Sequence, residues 1–440
     1  MKTYQVVKLG DVLKRNTKQI RIEDNQKYKQ VTVRLWGKGV QLRNEVYGHE
    51  IKSDSRYIVK SGQFIVSKID ARNGASGLIP EELDGAIITG DFLSFDINKD
   101  LILPEYLLWL SRSEWFIEQC VQASSGTTNR IRLNESKFLQ IEISLPNISE
   151  QAQIIRKIQD AVQIINNIDL VLTEQKQLTE NLRQSILQKA IQGHLVEQDP
   201  NDEPAADLLK RIREEKERLI KEKKIKKEKP LPPISPEEIP YELPKGWEWV
   251  RLGEIGSWGA GATPNRNNPL FYNGSIPWLK TGELNDAFIF DSEEKITELA
   301  LEKNSIRLNK PGDVLIAMYG ATIGKLGILG IEAATNQACC ACTPFSGIYN
   351  KYLFYYLMSR REFFQNQGAG GAQPNISKEK IINTLMPLPP TNEQKRIVDK
   401  IERLFSICEE LERCISTSKH ESDLLVQSVL RETFQQEILI

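Results

Sequence analysis

The sequence predicts an α+β fold in which two mixed, strand-rich domains are separated by two long antiparallel coiled-coil helices, arranged as an internal pseudo-two-fold repeat. Three observations predict it. Val7, Leu9 and Gly10 recur as Val250, Leu252 and Gly253, and Leu145-Pro146 with Glu150-Gln151 recurs as Leu388-Pro389 with Glu393-Gln394. Both matches are displaced by 243 positions, so residues 1–197 and 244–440 are two copies of one plan. After each Leu-Pro pair an apolar stripe with alternating steps of four and three begins, the pattern of a coiled-coil seam. The boundaries that follow are a first domain at 1–148, a first spacer helix at 149–197, a charged helix and Pro-rich linker at 198–243, a second domain at 244–390 and a second spacer helix at 391–440.

Each domain reads as strand-rich. Residues 63–67 (QFIVS) and 313–317 (DVLIA) are short apolar runs preceded by turn glycines Gly62 and Gly312, and loops rich in Gly, Asn and Thr follow them. A short helix is predicted at 106–116 in the first domain and 352–364 in the second, and a last strand closes each domain at its Leu-Pro pair.

The first spacer seam runs through Ile154, Ile158, Ala161, Ile165, Ile168 and Leu172, and resumes at Leu182 and Ile186. The second runs through Ile397, Ile401, Leu404, Cys408, Leu411 and Ile415, and resumes at Leu425 and Val429. The polar interruption is copied too: Gln175 and Thr179 in the first match Ser418 and Ser422 in the second. Such polar positions either set the register of a helix pair or face solvent. A helix over 149–192 is about 65 Å long at 1.5 Å per residue, longer than a domain of this size is wide. An antiparallel pair of such helices places one domain at each end.

Between the copies, residues 199–204 (DPNDEP) break the first long helix and cap a new one predicted over 205–229. Its basic residues, from Lys210 and Arg211 through Lys223, Lys224, Lys226, Lys227 and Lys229, fit either a solvated helix laced with ion pairs or a contact with phosphates. Pro230, Pro232, Pro233, Pro236, Pro240 and Pro244 then form an extended spacer.

Composition excludes several classes. With 440 residues, 40% hydrophobic, the chain holds several domains with their own cores, and no apolar run approaches a membrane span. The N-terminus leads straight into strand-like sequence without a signal-peptide apolar region, so a cytoplasmic protein is expected. Cys339, Cys340 and Cys342 alternate along a strand with no histidine nearby in sequence, which fits buried, reduced thiols and no metal site. Residues 320–326 (GATIGKL) resemble a phosphate loop but have three residues between the glycines where four are needed, and Leu326 stands where a hydroxyl would hold magnesium. No recognisable nuclease or base-methylation motif is present, so the chain is expected to catalyse nothing by itself.

Recognition remains. In the first domain Arg34, Trp36, Lys38 and Arg43, then Lys68, Arg72 and Asn73, then Thr127, Thr128, Asn129, Arg130 and Arg132 combine cations suited to phosphate with groups that read base edges. The corresponding stretches of the second hold Trp278, Lys280 and Thr281, then Tyr319, Thr322 and Lys325, then Asn336, Gln337, Gln373 and Asn375. The copies differ most at these loops, which suits two half-sites of unequal sequence. A net charge of -1 requires the positive charge to be concentrated on one face, or partner subunits to supply phosphate contacts.

At these residues the chain resembles the specificity subunits of type I restriction-modification systems. Residues 31–40 (VTVRLWGKGV), 67–74 (SKIDARNG) and 125–130 (SGTTNR) resemble one target-recognition domain of that family. Residues 243–247 (LPKGW), 261–264 (GATP), 319–325 (YGATIGK) and 373–377 (QPNIS) resemble a second, and the repeated Leu-Pro with Glu-Gln resembles the opening of the family's two spacer helices. The resemblance implies that each domain reads one half of an asymmetric, interrupted double-stranded DNA site. It further implies that the helices fix the gap and dock two methyltransferase subunits acting on adenine, with restriction and motor subunits joining for cleavage. S-adenosylmethionine, ATP and Mg2+ then belong to the partners, none being bound by this chain. Two alternatives stay open: a specificity subunit for a fused methyltransferase and nuclease, and a coiled-coil scaffold with two protein-binding heads and no role on DNA.

Overall fold

A computed structural model describes residues 4–126, 131–368 and 374–435. The chain forms two compact units, Met1–Gln175 with Cys414–Ile440, and Lys176–Arg413, so each long helix contributes to both.

In the first unit a four-stranded antiparallel sheet has the spatial order Leu13–Arg15, Phe92–Ile97, Phe64–Ser67, Ser76–Leu78. A five-stranded sheet holds Gln19–Arg21, Ser55–Ile58, Ile87–Ile88, Lys27–Val33 and Val40–Tyr47 in that order. The predicted strand at 63–67 is the fully buried Phe64–Ser67, entered through left-handed Gly62 (φ 79°). In the second unit its counterpart Val314–Ala317 follows Gly312 (φ 92°) and is equally buried. There it is the centre of a five-stranded sheet ordered Gly256–Ala260, Cys339–Pro344, Val314–Ala317, Leu326–Leu329, Ala287–Ile289. Cys339, Cys340 and Cys342 lie buried and unpaired in that sheet, and burial pushes the Cys340 thiol up to about 12.

Each predicted single helix is in fact two. Pro104–Ser111 and Glu114–Gln122 are separated because Ser113 turns extended and caps the second, its hydroxyl accepting from the Phe116 amide. Asn350–Ser359 and Arg361–Gly368 are separated by the single residue Arg360, without such a cap. Continuous apolar spacing conceals a break of one or two residues.

The duplicated Leu-Pro and Glu-Gln residues have a structural reason. Gln151 is completely buried in the first turn of the helix Ile148–Ile191; its amide donates to the Leu101 and Pro146 carbonyls at 2.9 and 2.8 Å, and its oxygen accepts from the Leu103 amide at 2.8 Å. Gln394, as deeply buried at the start of Thr391–Gln435, donates to the Pro389 carbonyl at 3.0 Å and accepts from the Tyr349 amide at 2.8 Å. In each unit one glutamine thus ties three segments together: the helix start, the closing Leu-Pro and the approach to the domain's own helix. Strands Gln5–Lys8 with Glu142–Leu145, and Glu248–Arg251 with Leu385–Leu388, pair antiparallel beside it. The neighbouring Glu393, also buried, accepts from the Trp247 indole at 2.9 Å, and burial holds its carboxyl above the usual range.

The two long helices span 44 and 45 residues. Within each unit their segments run antiparallel. In the first unit Ile155 and Ile158 share a core with Leu430 and Phe434, and Asp169 accepts from the Ser422 hydroxyl at 2.8 Å and pairs with Lys419 at 2.6 Å. In the second, Ile186, Leu187 and Ala190 share a core with Ile397, Val398, Ile401 and Cys408, and Arg183 forms a two-pronged bond to Glu412 at 3.0 and 3.2 Å over the Phe405 ring.

These contacts correct part of the predicted seam. Ile158, Ile165, Ile397 and Ile401 are buried, and Ile154, Leu172 and Leu404 partly so, but Leu182, Leu411 and Leu425 are 45%, 43% and 46% exposed. Their neighbours Arg183, Glu412 and Val426 face inward, and Asp169 replaces Ile168 in the same way. A selection by apolarity alone passes over a seam position filled by an ion pair. Asp169 and Glu412 occupy equivalent places in the two copies, as do Thr179 and Ser422, both buried. The polar interruption therefore lies inside the pairing at these two positions, whereas Gln175 is exposed.

The charged helix is shorter than predicted, Ala205–Lys221, and its first half is not solvated: Ala205, Leu208, Leu209 and Ile212 are buried in the core of the second unit. The proline segment is docked as well. Arg251, 4% exposed, donates to the Pro232, Pro233 and Asn383 carbonyls and pairs with Glu238, clamping the linker against the domain it precedes. Among the described residues no helix is long and apolar enough to cross a membrane.

Replacing Gln151 with Ala leaves one amide and two carbonyls without partners in a buried place. Denaturant unfolding is expected to show a loss of about 2–4 kcal/mol, with Gln394→Ala similar, whereas exposed Gln163→Ala stays within about 0.5 kcal/mol.

Candidate nucleic-acid interface

In both units the interface candidates are built on one local frame: a buried strand, a single 3-10 turn, a left-handed glycine, and a return strand. In the first unit Phe64–Ser67 leads into the turn Ala71–Asn73, closed by Gly74 (φ 69°), and returns as Ser76–Leu78. In the second Val314–Ala317 leads into the turn Gly320–Thr322, followed by Gly324 (φ 80°), and returns as Leu326–Leu329. A substituent on Gly74 would press on Ile117 and Trp36, and one on Gly324 on Arg361, so both close approaches depend on glycine.

Sequence-distant candidates meet at this frame. In the first unit the hairpin between Lys27–Val33 and Val40–Tyr47 leans on the turn: the Trp36 amide donates to the Asn73 carbonyl at 2.8 Å and the Gly37 amide to the Gly74 carbonyl at 3.0 Å. The Leu133 amide donates to the Lys68 carbonyl at 2.8 Å, which brings the third stretch alongside, and Arg132 pairs with Asp91 at 2.6 Å. Arg34, Trp36 and Lys38 are exposed, and Arg72 and Asn73 half-buried. Thr127, Thr128, Asn129 and Arg130 lie outside the described residues, as does Gln373.

The second unit gathers its candidates by different bonds. Tyr319 pairs with Asn375 as an antiparallel bridge, and the Gly320 amide donates to the Pro374 carbonyl at 2.9 Å. Leu279 pairs with Thr335, the Asn336 amide donates to the Leu279 carbonyl, and the Thr263 hydroxyl bonds Gln337. Thr335, Asn336, Gln337 and the 261–263 loop thereby sit one strand away from Met318 and Tyr319, since the Met318 amide donates to the Ala338 carbonyl. Tyr319, Lys325, Gln337 and Asn375 are exposed.

Three candidates are otherwise engaged. Lys280 pairs with Glu294 at 2.6 Å, which holds its ammonium above the usual lysine range, so this cation is already balanced. The Thr322 hydroxyl donates to the Tyr319 carbonyl, and Thr281 opens a 3-10 turn, half-buried. Trp36 and Trp278, which fall in corresponding stretches of the two copies, differ in exposure. Trp278 is buried, its indole donating to the Ala262 carbonyl and its ring packed against Arg266, whose guanidinium also covers Tyr272 and pairs with Glu294. Lys325 leads into a strand and not a helix, so the phosphate-loop look-alike lacks the helix N-terminus that makes such loops bind.

Among the described residues Arg34, Lys38, Lys68 and Arg72 take part in no ion pair, in contrast to Lys280. Unbalanced cations, amides and an exposed aromatic on braced loops are the side-chain types that contact an extended polyanion.

Comparison with known proteins agrees. A family model described as type I restriction modification DNA specificity domain matches residues 1–180 and 244–417, one match per copy of the repeat. The chain belongs to this family. It is 34% identical over 395 residues to the EcoAI type I restriction enzyme specificity subunit of Escherichia coli, covering 76% of this chain and 65% of the relative. With the EcoEI specificity subunit of the same species it shares 28% over 401 residues, covering 76% and 66%. The chain thus spans slightly under two thirds of the length of these relatives. A chain from a solved structure concerning complex assembly and conformational transition of the type I R-M system has the same fold, with a TM-score of 0.66 at 20% identity over 98% of this chain and 97% of that one.

Because Lys68 and Arg72 are unbalanced and Lys280 is not, their substitutions should separate. Lys68→Ala and Arg72→Ala are each expected to weaken DNA binding and to lower the slope of log affinity against log salt by about one where the contact is to phosphate. Lys280→Ala is expected to change the slope little. Titrations from low to moderate salt measure the difference.

Proposed function

We propose that this chain is the DNA sequence-specificity subunit of a type I restriction-modification complex, each domain reading one half of an asymmetric, two-part double-stranded site. The observation that carries the reading is the shared strand–turn–glycine frame with unlike side chains upon it: Arg72 and Asn73 in one turn, Thr322 and Ile323 in the other. A common frame with divergent loops fits a common task on different sequences.

In this reading the two long helices act as one antiparallel spacer that sets the gap between half-sites, with domain limits at 1–148 and 244–390 and spacer helices at 149–197 and 391–440. The antiparallel pairing within each unit supports it. The helices also carry exposed apolar residues at helical spacing: Ile164, Ile168 and Val171 in the first unit, Leu178 with Leu182 and Ile407 with Leu411 in the second. Such stripes suit partner helices, and two methyltransferase subunits are the proposed occupants, with restriction and motor subunits joining for cleavage. The chain itself is proposed to make and break no bonds: S-adenosylmethionine, ATP and Mg2+ serve those partners, in the cytoplasm of a bacterium or archaeon. The basic residues Arg34, Lys38, Lys68, Arg72 and Lys325 supply phosphate contacts, and Asn73, Gln337 and Asn375 read base edges. Thr127, Thr128, Asn129, Arg130 and Gln373 remain candidates of the same kind.

Mapping methylated adenines in a host that expresses this chain with its methyltransferase tests the proposal. A two-part motif with a constant gap is expected, and it should vanish when this chain alone is omitted. Methylation unchanged by that omission would contradict the proposal, and would favour the scaffold with protein-binding heads.

A further inference from the structure

Trp36 lies at the tip of the hairpin joining Lys27–Val33 to Val40–Tyr47 and is 67% exposed. Its backbone is left-handed, with φ 60°, a conformation that bulky residues rarely adopt. The fold imposes it. Gly37 and Gly39 on the same tip are left-handed at φ 66° and 83°, the Arg34 amide donates to the Gly39 carbonyl at 2.9 Å, and the bonds to Asn73 and Gly74 pin Trp36 and Gly37 to the neighbouring turn. Behind the tip, a substituent on Gly37 would meet Arg112 at 2.8 Å, so the loop is packed as well as bonded. A large apolar ring is therefore held out into solvent on a stiff support, at a strained position where glycine would fit without cost.

The surroundings indicate what the ring meets. Leu35 and Ile69, 38% and 41% exposed, are apolar residues of the same hairpin tip and of the stretch it leans on. The stretches 34–45 and 68–74 carry Arg34, Lys38, Arg43, Lys68 and Arg72 against the acids Glu45 and Asp70. An apolar tip on stretches that carry more cations than acids suits a wedge entering between stacked bases while the cations hold flanking phosphates. A protein surface also accepts an exposed tryptophan, but this excess of positive charge favours the polyanion. In the corresponding stretch of the second unit Trp278 and Leu279 are both buried.

We infer that Trp36 is a wedge residue that inserts at, and partly unstacks, one base step of the first half-site. The inference rests on the DNA-reading role proposed above and adds a residue, a mode of contact and an asymmetry between the two halves.

The test uses the full chain assembled with its methyltransferase partner on duplexes carrying 2-aminopurine at successive positions of both half-sites, leaving out the methylated adenines and their neighbours, which the methyltransferase itself unstacks. Wild type should brighten the probe at one step and not at the equivalent steps of the second half-site. Trp36→Ala should abolish that signal and weaken site-specific binding roughly ten- to a hundred-fold, with binding to unrelated duplex changed less than about twofold. Trp36→Phe, which keeps a stacking ring, should retain most of both. Trp36→Gly, which relieves the backbone, should fold at least as stably as Trp36→Ala and bind as poorly, which separates the ring's role from folding. Unchanged probe signal and affinity in Trp36→Ala would overturn the wedge while leaving the DNA-reading role intact. A Trp36→Ala defect in assembly with the methyltransferase, without a change on DNA, would overturn it in favour of a protein contact. Failure of the wild type to prefer any sequence would remove the DNA-reading role itself, and the wedge with it.

Discussion

The structure depends on a buried glutamine used twice. Gln151 and Gln394 are fully enclosed side chains, yet each has its amide and its carbonyl oxygen satisfied by backbone groups. A buried amide with partners is close to neutral in energy, and one without them costs several times more, so the position specifies geometry as much as it adds stability. What it specifies is where a 44- or 45-residue helix leaves its domain. The ways of starting those helices differ around it. Asn147 caps the first, its side chain accepting from the Glu150 amide and donating to the Glu150 carboxylate, whereas Pro389-Pro390 leads into the second and Thr391 bonds back to the Gly347 carbonyl. The cap differs between the copies and the glutamine does not.

A second device repeats further along the helices. Asp169 and Glu412, equivalent by the repeat, each reach across to the antiparallel partner segment within their own unit, to Ser422 and Lys419 in one and to Arg183 in the other. Lys419 and Ser422 hold the Asp169 carboxyl below the usual aspartate range. Because the folded value is depressed, this contribution to stability is present above the ordinary aspartate range and is lost only as pH falls through the lowered value. Polar contacts at matched seam positions favour one register over slipped ones, since a slipped pairing would leave a carboxylate facing apolar side chains.

Much of this was legible in the sequence, and the failures have physical causes. The duplication, the buried strands after Gly62 and Gly312, and the long helices follow from spacing, because burial on one face dictates periodicity. The inward-facing Arg183 and Glu412 and the buried first half of Ala205–Lys221 escaped because each is settled by a partner remote in sequence, and the break at Ser113 because a local cap interrupts apolar spacing that runs on past it. At the interface, loop composition flagged residues that the structure brings together, Trp36 with Asn73 and Tyr319 with Asn375. Composition gave no means of seeing that Lys280 is neutralised by Glu294, or that Trp36 and Trp278, in corresponding stretches, are respectively exposed and buried. The Glu-Gln repeat was visible as a signature; only the three-segment bond pattern reveals why it recurs.

On the proposed reading one repeated frame carries two independent readers. The most direct measurement is the methylation motif directed by a chain whose residues 244–390 are replaced by its own residues 1–148, keeping both long helices and both glutamines. If the helices act as the proposed antiparallel spacer, two identical readers yield a palindromic motif built from two copies of one half-site at the original gap. A motif that still contained the second, unlike half-site would contradict the claim.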